Sequence, residues 1–216
     1  MQSRMFEQFG GVCAGLAGLA GFGYSAAFIV YLHDTSRKAA YVDDVLLLLG
    51  GLLAVGAFVA VYGRLRATDE GFALLGLLLA FAGAFGSMSH GAYDLANLVK
   101  PPATLASDVP SATDPRGLGT FALVGVAVAI ASFLVLRGGA LPRGLAYLGF
   151  LGAALLVFVY VGRLVILNPN DTALHTAAVI SGFIVNPAWF LWLGAVLWLG
   201  RPVAATEQQL GGVVPA

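Results

Sequence analysis

The chain has one cysteine, three histidines and only 10% charged residues among its 216. Each shortage excludes something. The lone Cys13 cannot form an internal disulfide, and no Cys-x-x-Cys or His-Glu-x-x-His signature marks a compact metal or protease site. So few charges cannot cover a soluble surface of ordinary composition. Eleven basic residues balance eleven acidic ones without any basic run, so nucleic acid is not indicated as a partner, nor is an anionic membrane surface.

What is abundant is apolar. Hydrophobic residues make up 59% of the chain and its mean hydropathy is +0.89, the composition of an integral membrane protein. A hydrocarbon core about 30 Å thick needs roughly 20 apolar residues per helix. Six such stretches lie between the charged clusters, at Gln8–Leu32, Val45–Tyr62, Gly71–Leu98, Gly117–Leu136, Gly144–Leu167 and Thr172–Gly200. The expectation is an all-α, polytopic, six-helix transmembrane bundle over residues 1–200. The tail 201–216 carries no apolar period and is expected to be disordered.

The first stretch is too long, and too poor in N-terminal basic residues, for a cleaved signal peptide, so it reads as a retained helix. Val12 stands before Cys13 where lipidation would need a small residue. Basic residues set the orientation. One side collects Arg4, Arg64, Arg66, Arg137, Arg143 and Arg201, against Arg37, Lys38, Lys100, Arg116 and Arg163 on the other. The tight Arg137–Arg143 turn is purely basic, whereas the opposite connections hold Asp34, Asp43, Asp44, Asp108, Asp114 and Asp171. Both termini are therefore expected in the cytoplasm, the protein being multi-pass in a bacterial-type inner membrane.

An internal similarity supports this layout. Gly71-Phe-Ala-Leu-Leu-Gly-Leu-Leu-Leu-Ala80 aligns without gaps on Gly144-Leu-Ala-Tyr-Leu-Gly-Phe-Leu-Gly-Ala153, each after an Arg-containing turn. Helices two and three thus read as a repeat of helices four and five, a device found in transporters and in inert bundles alike. The same alignment puts Arg163 at the depth of His90, about 28 Å along its helix at 1.5 Å per residue.

Polar residues gather at that outer end. Ser87, His90, Asp94 and Asn97 follow helical spacing and form one stripe on helix three. Helix six opens with Asp171 and His175 one turn apart, and helix one closes with His33-Asp34. A carboxylate one turn from an imidazole can fix its tautomer, and His with carboxylate ligands suits zinc, copper or iron, while two histidines can ligate a haem. His90, His175, Asp94, Asp171 and His33 are therefore the candidate ligands of a metal ion or haem. Arg163, Asp94, Asn97 and Ser87 form an alternative polar cluster in which Arg163 pairs with Asp94. The bland reading stands beside both, because helix ends at an interface are where polar residues belong, and Asp171 can simply complement a helix dipole.

Smaller signals concern shape. Asn186-Pro187 should kink helix six. Asp114-Pro115 reads as an N-cap followed by a first-turn proline. The proline-rich connection from Val99 to Arg116 is a candidate lid or partner surface, and Asn170-Asp-Thr172 matches a glycosylation acceptor by chance. Gly and Ala pairs in helix one permit close packing. Trp189, Trp192 and Trp198 read as an interfacial belt or a protein contact.

Leu141-Pro-Arg-Gly-Leu-Ala-Tyr-Leu-Gly149, Trp189-Phe-Leu-Trp-Leu-Gly194 and the opening Phe9-Gly-Gly-Val-Cys-Ala-Gly15 resemble the motifs of an uncharacterised bacterial family of six-helix membrane proteins, a domain of unknown function. The resemblance implies the fold and carries no activity, and the His90/Asp94 stripe is not part of it. Three functions follow from the residues. The first is a non-catalytic accessory or structural subunit packing against lipids, other membrane subunits or its own copies. The second is a metal- or haem-binding protein with its His/Asp site at the outer face, and the third is a small-molecule transporter.

Overall fold

The computed structural model describes residues 3–34, 36–100, 118–166 and 171–200, with the side chains of residues 32, 118–119 and 163–166 excepted. The protein is an all-α membrane protein with six spans. Helix α1 covers Arg4–Asp34, α2 Arg37–Leu65 and α3 Glu70–Val99. A wide π turn, Leu118–Leu123, leads into α4, Val124–Gly138, and α5 covers Arg143–Ile166. The sixth span runs Thr172–Leu199 as α6, Thr172–Ile180, a π turn at Ser181–Val185, and α7, Asn186–Leu199.

Helix boundaries follow local chemistry. Ser36, Asp69 and Asp171 are N-caps whose side chains accept from backbone N–H groups of the first turn. Gly139 and Gly200 end α4 and α7 in the left-handed conformation, with φ of 66° and 58°, which glycine adopts without a Cβ penalty. The expected kink at Asn186-Pro187 takes the form of the π turn. The Asn186 N–H reaches back five residues to the Ser181 carbonyl, and the extra residue relieves the clash between the proline ring and the carbonyl of Phe183, four residues earlier.

Sequence neighbours pack side by side from α1 to α6, and α7 returns against α1, so the six spans close into a ring. Six crossings put both ends of the chain on one face. There Arg4 donates to the carbonyl of Trp198 at 2.6 Å, tying the start of α1 to the last turn of α7. Glu7 accepts from Arg64 of α2 at 2.9 Å, and Asp69 lies 3.9 Å from Arg137, joining the two turns of that face. The repeat-related glycines Gly76 and Gly149 both abut α4, Gly76 at Ile130 and Gly149 at Ser132 and Val128.

The interior differs between the two halves. Its bulkiest fully buried apolar side chains, Leu65, Leu134, Leu145, Leu193 and Leu197, all lie in the half of the bundle nearer the terminal face. Trp189 joins this core against Phe58 and Phe190, whereas Trp192 and Trp198 are exposed. The opposite half buries the polar residues Asp43, Asp44, Ser87, Thr120 and Ser181 alongside small residues and a few larger ones such as Leu174 and Tyr160.

Candidate functional site

The polar half is organised by the contact between α2 and α3. Among the expected outer-loop residues, Asp43 and Asp44 are a correction. Helix two begins at Arg37, eight residues before Val45, because Ser36 caps it and Ala39-Ala40-Tyr41-Val42 carry an apolar run through its first turn. The two aspartates are therefore helical, and only 8% and 5% exposed. Asp43 Oδ1 and Asp44 Oδ2 are buried without a hydrogen-bond partner among the described residues.

The stripe expected on α3 faces this acid pair. His90 Nε2 lies 3.2 Å from Asp94 Oδ2, an arrangement in which Nε2–H donates to the carboxylate. Asp94 acts electrostatically on both Asp43 and Asp44, and His90 acts on Asp44. Gly91 permits this proximity, since a Cβ there would collide with the Asp44 carbonyl and stand 2.9 Å from the Leu48 N. Ser87, buried one turn earlier, donates to the Gly83 carbonyl at 3.3 Å, and Asn97 is half-buried near the end of α3. Arg37 does not serve the acid pair: its guanidinium caps the end of α3 by donating to the Leu98 carbonyl and stacks over Tyr41.

The other candidates lie elsewhere in local bonding. His33 is exposed, with its Nδ1 2.9 Å from the Ile29 carbonyl. His175 is exposed on α6, and the Asp171 side chain caps that helix by accepting from Ala173 N at 3.0 Å and Leu174 N at 3.1 Å. Among the described residues no group of three or more His, Cys, Asp or Glu is gathered in a way that could hold a metal ion. The side chain of Arg163, the connection from Val99 to Arg116 beyond Lys100, Asn170 and the tail from Arg201 lie outside the described residues.

A second concave feature opens sideways. Between α4 and α5 a groove of about 740 Å³ is lined by Gly125, Ala129, Ala153, Ala154, Phe150 and Phe158, with further aliphatic residues and, among the described residues, no charged side chain. Its floor exists because Gly125 sits against the Ala153 carbonyl and the Leu156 side chain, and small residues at a helix crossing leave a furrow on the outer side. No family model matches the chain, and neither a curated protein nor a solved structure is similar to it. What the two features can do rests on their own chemistry. Among the described residues the α2–α3 cluster gathers several carboxylate acceptors, and the groove offers shape and apolar contact.

Proposed function

We propose that the protein is a non-catalytic accessory membrane subunit, seated in a bacterial-type cytoplasmic membrane with both termini inside, that packs laterally against lipids or partner membrane proteins. The observation that supports this reading is the open groove between α4 and α5, whose lining among the described residues is apolar and suits lateral packing. In the bilayer such surfaces associate through close van der Waals fit. Isolation from native membranes in two detergents of different chain length tests it. A partner or lipid retained in fixed stoichiometry in both is the expected result. A bare, monodisperse single chain in both would overturn it.

A second reading is favoured by one specific observation, the burial of Asp43 and Asp44 beside the His90–Asp94 pair. Ionisable side chains inside a membrane are costly and ordinarily mark a working site. On this reading His90 and Asp94 are donors to a metal ion or haem at the outer end, although no third His, Cys, Asp or Glu among the described residues is gathered with them in a way that could hold a metal. Metal analysis and a visible spectrum, compared between the parent and His90→Ala, decide it: bound metal or a haem band that is lost in the variant supports the site.

A further inference from the structure

The α4–α5 groove has the dimensions and chemistry of a lipid site, and we propose that it seats one acyl chain of a membrane phospholipid. The inference rests on the lateral-packing reading above and names what packs. The lining is uncharged among the described residues, which matches a hydrocarbon chain and offers little to a peptide's polar groups. The groove follows α5 from Phe150 to Gly162, about 18 Å at 1.5 Å per residue, so an extended chain lies along it from the side opposite the termini to past the middle of the span. Its exposed floor is far smaller than the ~800 Å² per partner that a stable protein interface buries, which argues against a second copy or a partner helix. Phe150 and Phe158, both partly exposed, form the rim on one wall, and Val126 stands on the other. The furrow between them exists because Gly125 lets the two helices approach backbone to side chain. Ordinary boundary lipid meets a convex helix surface; here a chain is contacted from two helices and the floor.

The test uses the full chain in phosphatidylcholine vesicles doped with a phosphatidylcholine whose acyl chain carries a photoreactive diazirine. Label is expected to concentrate on the peptides spanning Gly125–Ala129 and Phe150–Gly162, about tenfold above the equally exposed α3 surface around Leu74 and Leu78, the ratio that 1.4 kcal/mol of preference gives. Ala154→Phe, at an exposed position that fills the groove, should bring this labelling down to the α3 level, while Leu74→Phe should leave it unchanged. Uniform labelling around the bundle, or groove labelling that survives Ala154→Phe, overturns the proposal. So does a groove shielded from label together with a cross-linked dimer, because the occupant is then a second copy. Loss of a co-purifying protein, with vesicle labelling as expected, would instead count against the subunit reading alone.

Discussion

Gly91 of α3 rests directly on the backbone of Asp44 in α2, so closely that a Cβ at position 91 would overlap the Asp44 carbonyl. The two helices can hold an acid pair and a His–Asp pair at one level only because this approach is allowed. Gly91→Ala forces the backbones apart, and overpacking of this kind costs about 1–3 kcal/mol. Gly15→Ala is the control, since a Cβ there meets no atom within 4 Å. Thermal unfolding in detergent should show a lowered midpoint for the first and an unchanged or slightly raised midpoint for the second. Equal midpoints for both variants would mean that α2 and α3 do not pack as described.

Asp43 and Asp44 expose a stability cost that can be measured. Each has a buried oxygen without a donor among the described residues, and Asp94 adds a third carboxylate beside them. Asp44→Asn supplies an amide donor of the same shape. It should stabilise the bundle by about 1–2 kcal/mol, the scale of satisfying a buried polar atom. A drop in stability would reveal that the charge at position 44 has a stabilising counterpart. If the gain is observed, the aspartate is kept at the expense of stability, the pattern expected of a working residue.

The six spans were legible because hydropathy alone separates hydrocarbon-length stretches from charged connections, and the helix ends fell within a few residues of expectation in five of them. The start of α2 was not. Two adjacent aspartates read as loop, although Ser36 and the run Ala39-Ala40-Tyr41-Val42 already pointed to a helix that begins before them. The stripe Ser87, His90, Asp94, Asn97 was legible from its spacing, but its partner across the α2–α3 contact was not, since Gly- and Ala-rich membrane helices lack the apolar asymmetry that shows which side faces inward. Asp171 illustrates the opposite case. Its place before Thr172 already allowed a cap, and the cap is what its side chain forms.

At the terminal face Glu7 holds two cations, Arg64 at 2.9 Å and Arg4 at 3.8 Å. The side chains of Glu7 and Arg64 are only 16% and 13% exposed, so the pair is weakly screened. Glu7→Gln should cost about 2 kcal/mol, less than a fully buried pair loses when one charge goes, which corresponds to roughly 4–8 °C in midpoint for a chain of this size. Arg4→Ala removes the cap on α7 and should cost about 1 kcal/mol. A Glu7→Gln loss no larger than that of Arg4→Ala would show that Arg64 is hydrated rather than held.

Pro187 sets the register of the outer half of the sixth span. The π turn before it places Gly182 against Ser25 of α1, where a Cβ on residue 182 would stand 3.2 Å from the Ser25 Cβ, a separation that a few tenths of an ångström of relaxation brings into the ~3.5–4.5 Å range of disulfides. Ser25→Cys with Gly182→Cys should therefore cross-link readily under a membrane-permeant oxidant. Cys13, buried in the terminal half of α1, stays out of the reaction. Adding Pro187→Ala restores a backbone donor and removes the ring clash, so the turn can relax toward an ordinary α-helix. Losing one residue of π register rotates α6 by about 100° relative to α7, since each residue turns an α-helix by that angle. Residue 182 then leaves Ser25, and cross-linking should fall severalfold while the protein remains folded. Undiminished cross-linking in the triple variant would show that the packing of α6 on α1, and not the proline, dictates the π turn.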